Sequence, residues 1–294
     1  MLVVIKGAGD LASGIALRLH HSGFDIAMTE IAAPLSVRRT VCFSGAVYQG
    51  RAQVEDLCAV LVKGEEELPE AFQNKLIAVF VDPLAEIVKK LRPVVLIDAI
   101  MAKKNTGTAI TDAPVVIGIG PGFTAGGDCH AVIETQRGHT LGRVIIAGPG
   151  TTGSAIPNTG IPGDIGGFTS QRLLRSPADG VFEELVPIGS MVKKGDKVAV
   201  IRSTPGTMEA GAKETKVSNC EKTEFPLIAG IDGMLRGLLP SGIAVKRGMK
   251  AGDIDPRAER SHCFTVSDKA LAIGGGVLEA ILKFRSVELD LIPP

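Results

Sequence analysis

Gly7-Ala8-Gly9-Asp10-Leu11-Ala12 follows a short apolar run, Leu2 to Ile5, and opens an amphipathic segment, which is the order strand, glycine turn, helix. The spacing G-x-G-x-x-[GA] is a phosphate-binding pattern. Gly7 permits the tight turn, Gly9 lets backbone approach a pyrophosphate, and Ala12 lets the helix pack closely on the strand. Asp10 falls in the first helical turn, whose unpaired amides would receive the phosphate. A second strand, Asp25 to Thr29, ends at Glu30, about 20 residues past the glycines, where a carboxylate accepts both hydroxyls of a ribose. Glu30 points to NAD-like recognition, whereas Arg38 and Arg39 would suit a 2′-phosphate or another phosphate. The residues leave the choice of nucleotide open.

Further candidates follow the other β-rich runs, Ile77 to Val81, Val94 to Ile97 and Val115 to Ile119. Ligands of parallel sheets bind beyond the carboxyl ends of the strands. Those ends carry Asp82-Pro83, then Asp98 with Lys103 and Lys104, then a second glycine loop containing Gly120 and Gly122. The lysines and arginines would supply cations to a phosphorylated ligand, and the loop would form a nest of amides.

Cys129-His130 follows that loop, with Glu134 four residues on, and His262-Cys263 comes much later. Neither pair has zinc-ligand spacing, so no metal site is expected. Cys129 and His130 are the candidate catalytic pair, a thiolate activated by a neighbouring imidazole. There is no G-x-S-x-G elbow, H-E-x-x-H or Walker lysine motif, which disfavours hydrolase and P-loop chemistry.

The elements that must position these residues define three segments. Residues 1–170 read as a Rossmann-like, parallel-sheet cofactor domain. Residues 171–258 read as a small β module, because Asp179 to Gly195 aligns without gaps on Asp232 to Gly248. That repeat, with its G-x-x-V-K-x-G turn, resembles the halves of a biotinyl/lipoyl-type barrel-sandwich, although no carrier lysine motif accompanies it. The polar stretch 206–224 reads as an insertion. Residues 259–294 read as a returning βα unit, with Ser267 to Ile273 as its strand and Gly274-Gly275-Gly276 either as its turn or as residues that let a helix pack closely. The fold class expected is α/β, with a β barrel-sandwich inserted into a Rossmann-like domain.

Composition narrows the function classes. The chain has 294 residues, 45% of them hydrophobic and only 4% aromatic, with 32 basic and 32 acidic side chains. Zero net charge and scarce aromatics leave no footprint for nucleic acid. No apolar run approaches the roughly 20 residues that span a bilayer, and no signal-peptide pattern is present. Five cysteines without framework spacing fit a reducing compartment, so a cytoplasmic location is expected.

Several further motifs carry a family resemblance: Met28-Thr29-Glu30, Val37-Arg38-Arg39-Thr40, Asp98 to Asn105, Gly118 to Gly126, and His130 to Thr135 with Arg137-Gly138-His139. Pro157 to Gly160, Ile231-Asp232-Gly233, Gly252 to Arg257, Ser267-Asp268-Lys269-Ala270 and Ile273 to Leu278 complete the set. With the opening glycine turn, they resemble the YqeB family of selenium-dependent molybdenum hydroxylase accessory proteins, relatives of the XdhC-type maturation factors. The resemblance implies a role in maturing such a hydroxylase, with the apo-enzyme as partner and a nucleotide or molybdopterin dinucleotide as ligand. A homo-oligomer is compatible with the sequence. The chain lacks the cysteine-rich signature of some XdhC-type proteins, which weakens any transfer of a sulfur-handling mechanism. The alternative is an NAD(P)-dependent oxidoreductase acting on a small molecule, with His130 as its proton-transfer group.

Overall fold

The computed structural model describes residues 1–157, 163–203 and 223–289, with side chains as far as 284. Cys220, residues 158–160 and all but the last two residues of the polar stretch 206–224 lie outside them. The chain divides into two units: Met1–Pro34, Val41–Gly160 and Thr265–Pro294 form the first, and Leu35–Thr40 with Ile161–Phe264 form the second.

The first unit is α/β. Its elements are β1 (Leu2–Lys6), α1 (Asp10–His21), β2 (Asp25–Glu30), α2 (Ala46–Gln49), β3 (Arg51–Val54), β4 (Leu57–Leu61), α3 (Leu68–Gln73), β5 (Ile77–Val81) and α4 (Ile87–Leu91), followed by β6 (Val95–Asp98), β7 (Val115–Ile119), β8 (Ala131–Ile133), β9 (Val144–Ile146) and finally α5 (Asp268–Leu289). The sheet order is β3-β4-β5-β2-β1-β6-β7-β8-β9. All neighbours pair in parallel except the two edge pairs, β3 with β4 and β8 with β9. The central run β5-β2-β1-β6-β7 has the strand order 3-2-1-4-5 of doubly wound dinucleotide-binding sheets, and the order reverses between β1 and β6.

The strands are continuous apolar runs because both faces are covered. Val3, Ile5, Ile26 and Met28 pack on one face with Ile15 and Leu19 of α1 and Ile273 and Val277 of α5. Val4, Ala27, Phe80 and Val116 pack on the other with Leu68 and Val88 from α3 and α4. Each of the Val, Leu, Ile, Met and Phe side chains contributes about 1.5–3 kcal/mol on burial.

One expectation is overturned here. Ser267 to Ile273 is not a strand, and Gly274-Gly275-Gly276 is not a turn, because both lie inside or at the start of α5. The glycines serve packing: a Cβ on Gly276 would come within 2.1 Å of the Gly142 carbonyl oxygen, and one on Gly274 within 3.1 Å of the Gly14 carbonyl oxygen. Gly14 has the same reason, since a Cβ there would lie 2.5 Å from the Ala270 Cβ.

The second unit holds β10 (Leu173–Arg175), β11 (Gly180–Glu184), β12 (Met191–Val192), β13 (Lys197–Arg202), β14 (Glu224–Ile228), β15 (Gly233–Leu238), β16 (Ala244–Val245) and β17 (Lys250–Asp255). They form two four-stranded antiparallel sheets, β10-β17-β15-β12 and β14-β13-β11-β16. The repeat explains this order, because exchanging each strand for its repeat mate turns one sheet into the other. Side chains obey the same exchange: Asp179 accepts from the Arg247 N–H, and Asp232 accepts from the Lys194 N–H, both at 2.7 Å. Phe182, Ile201, Leu235 and Ile254 fill the core of this unit.

Candidate functional site

The turn after β1 is built by close approach. Gly7 has φ +91°, and a Cβ there would stand 3.2 Å from the Ala99 carbonyl oxygen, so the turn lies directly against the chain leaving β6. The Ala8 carbonyl is fixed by the Ser13 hydroxyl at 3.2 Å and the Ser44 N–H at 2.9 Å. Gly9 then precedes α1 with no side-chain cap, so no side chain of the chain covers the helix start by capping it.

These features floor a cleft of about 390 Å³ at the carboxyl ends of β1, β2, β5 and β6. That is the switch point of the sheet, where ligands of such folds bind, and the volume falls within the range of small-ligand sites. Gly7, Gly9 and Asp10 line it from β1 and α1, Thr29, Glu30 and Ile31 from β2, Asp82 and Pro83 from β5, and Ile100, Met101 and Thr106 from the loop after β6. Glu30 accepts from the Ala8 N–H at 3.0 Å and from the Ile31 N–H at 2.8 Å. Each carboxylate oxygen retains a lone pair, so the group can still accept the two hydroxyls of a ribose.

Beneath the cleft, three residues form a buried cluster. The Lys6 ammonium donates to the Thr108 hydroxyl at 2.7 Å and lies 3.3 Å from Asp98, to which that hydroxyl donates at 2.6 Å. Asn105 clamps the same loop, accepting from the Gly107 and Thr108 N–H groups and donating to the Thr108 carbonyl. Asp98 is thus a support of the cleft wall rather than part of its lining. Lys6 and Thr108 were not singled out in the sequence as site residues, although a lysine ending an apolar strand was a signal for a buried charge pair.

The remaining candidates are placed elsewhere. Arg38 and Arg39 belong to the second unit, where Arg38 donates to the His262 carbonyl and Arg39 to the Leu238 carbonyl and the Glu184 carboxylate. Lys103 and Lys104 are exposed on the loop after β6, outside the cleft lining. Gly122 lies against Lys104, whose Cα is 2.7 Å from the position of a Cβ there. In the second glycine loop, the amides of Gly120, Thr124, Ala125, Gly126, Gly127 and Asp128 are donated to Ile133, Asp128, Gly153, Cys129 and Thr124, so these six are taken up within the chain.

Cys129 and His130 do not form an activated pair. Burial pushes the Cys129 thiol up to about 12, far from the thiolate a nucleophile needs. Burial also pushes His130 down, and its Nδ1 accepts from the Val116 N–H at 3.0 Å while its ring meets Phe284 edge-on. Among the described residues, no group of three or more His, Cys, Asp or Glu side chains is placed to hold a metal ion, and no helix is long and apolar enough to cross a membrane.

The fold and site together define an α/β protein with a glycine-turn cleft at the order reversal of a parallel sheet. Over 281 residues, 96% of this chain, the sequence is 47% identical to the uncharacterized protein YqeB of Escherichia coli (strain K12). It covers 47% of that protein, so the chain spans about half the length of the curated relative it matches. Over the matched stretch the chain is a homologue of YqeB. No family model matches it. Among solved structures, an aspartoacylase family protein from Mesorhizobium loti is 13% identical, covering 88% of this chain and 86% of its own, with a TM-score of 0.27. A succinylglutamate desuccinylase from Silicibacter sp. is 14% identical, with coverages of 86% and 84% and a TM-score of 0.25. Scores this low carry no argument.

Proposed function

We propose that the chain binds a nucleotide, or the nucleotide-linked molybdenum cofactor, in the cleft at the switch point. On this reading it serves as an accessory factor in the maturation of a selenium-dependent molybdenum hydroxylase, whose apo-enzyme is its partner. The observation that carries the ligand class is the joint position of the glycine turn, the uncapped start of α1 and Glu30 on one cleft. A molybdopterin dinucleotide presents the same pyrophosphate and ribose as NAD, so the same parts would hold it. The maturation role rests on the resemblance of the motifs and on the identity with YqeB. The second unit, whose repeat resembles a biotinyl/lipoyl-type barrel-sandwich, would dock the client enzyme.

The oxidoreductase reading loses support at one residue. His130, its proton donor, has Nδ1 engaged by backbone and its ring packed on Phe284, and it does not line the cleft. NADP is disfavoured too, since Arg38 and Arg39 are taken up within the second unit. The test is a thermal-shift panel of NAD, NADP, ATP, CTP and molybdopterin dinucleotide. A ligand present at 100 times its dissociation constant stabilises by about 2.7 kcal/mol. Stabilisation by a nucleotide that disappears in Gly9→Asp supports the cleft reading; a shift that survives this substitution contradicts it. Preference for the pterin dinucleotide supports maturation, and preference for NAD with turnover of a carbonyl substrate supports the oxidoreductase.

A further inference from the structure

The nucleotide reading uses β1, α1 and β2 but leaves Asp82-Pro83, at the end of β5, without a part. Both residues line the cleft, and Asp10, Glu30 and Asp82 carry the only charges among the described residues that line it. β5 pairs with β2 so that Val81 stands opposite Glu30, which puts Asp82 one residue beyond Glu30 on the neighbouring strand. The Asp82 N–H donates to the Glu30 carbonyl at 2.9 Å, fixing the two strand ends to each other. Its side chain is held as well, since one carboxylate oxygen, Oδ2, accepts from the Ile87 N–H at 2.9 Å. The other oxygen, Oδ1, accepts no hydrogen bond from the described residues.

The order of the strands sets the order of the ligand. β1, β2 and β5 are successive neighbours in the sheet, about 4.8 Å apart. The glycine turn follows β1 and suits the phosphate, and Glu30 ends β2 and suits the ribose. A nucleotide is joined phosphate to ribose to base, so a ligand laid across β1 and β2 in this way brings its base over the end of β5. Ile31 and Pro83 give that end apolar walls, and Asp82 is its polar group. An ionised carboxylate only accepts hydrogen bonds. It repels a base carbonyl, whereas from an amino group it takes a charge-assisted bond. We infer that Asp82 selects the base, so that the ligand is a nucleotide whose base presents an exocyclic amino group, as cytosine and adenine do and uracil and hypoxanthine do not. The inference rests on the nucleotide reading of the cleft and adds to it the class of base that the cleft accepts.

The test is calorimetric titration of the full chain with CDP, UDP, ADP and IDP, two pairs in which an amino group is exchanged for a carbonyl. A hydrogen bond to a charged group is worth enough that, in the pair that binds more tightly, the amino member should be favoured roughly ten- to hundredfold. Asp82→Asn reverses the chemistry at one atom. The Ile87 N–H still needs an acceptor, so the amide turns its carbonyl to Ile87 and its NH2 to the cleft. The preference should then vanish or invert toward the carbonyl base, which loss of a purely structural carboxylate would not produce. Asp82→Ala, with neither donor nor acceptor, should bring the pair close to equality. Glu30→Gln should weaken all four ligands and leave the ratio within each pair intact. The inference is overturned if the unmodified protein binds both members of each pair alike or favours the carbonyl bases, or if Asp82→Asn keeps the original ratio. Absence of binding by all four probes would instead remove the nucleotide reading, and the inference with it.

Discussion

Lys6 ends an otherwise apolar strand one residue before the glycine turn, and the structure gives it a physical reason. Its side chain is 7% exposed and that of its partner Asp98 2%, so the pair is stable only because Thr108 completes the hydrogen bonding. The cluster fastens the loop after β6, and that loop supplies Ile100, Met101 and Thr106 to the cleft. Lys6→Met strands a buried carboxylate and is expected to cost about 3–5 kcal/mol. Urea unfolding would show this as a lowered midpoint, partly recovered in Lys6→Met/Asp98→Leu; an unchanged midpoint in the single variant would contradict the account. At this scale the sequence was legible where the chemistry is local. Glu30 reaches the Ala8 amide because strand, turn, helix and strand are consecutive. Cys129-His130 misled because adjacency in sequence says nothing of burial, and burial decides what a thiol can do.

Among elements, the glycine turn of β1 and α1 could be read from spacing, whereas the glycines of α5 could not. In sequence Gly274 and Gly276 fit a turn or a close helix contact equally, and the approach of Gly14 and Gly142 decides for the contact. The repeat was legible because both halves keep the same residues, and its consequence is a pair of sheets related by exchanging the halves. The carboxylates of β17 illustrate how charge is managed there. Asp253 bonds Arg172 and Arg236, and Asp255 bonds Arg236 and Arg257. Burial raises the Asp255 carboxyl, but the hydrogen bonds from Arg257 and the charges of Arg236 and Arg257 more than offset it and hold it at about 2.

A carboxyl held below its unfolded value stabilises the fold above that value and loses the contribution as it is protonated. For Asp255 the window runs from the ordinary 3.8 down to about 2, and the amount is about 2 kcal/mol. The stability difference between the unmodified protein and Asp255→Asn should therefore shrink as the pH falls through that window. A difference that stays constant across it would contradict the assignment.

At the scale of the molecule, the parallel sheet follows from its alternating apolar runs and the switch point from the order in which they pair. The order was not legible, since nothing in a single strand says which neighbour it takes. The same holds for Arg38 and Arg39, which follow β2 in sequence yet donate to the His262 and Leu238 carbonyls of the second unit. The cleft is the place where local pattern and long-range order coincide, and it is the centre of the account. Hydrogen–deuterium exchange, read by mass spectrometry with and without a saturating nucleotide from the panel, tests it most directly. Protection concentrated at residues 7–12 and 30–31 is the predicted result. No change at those residues, or protection confined to the second unit, would contradict it.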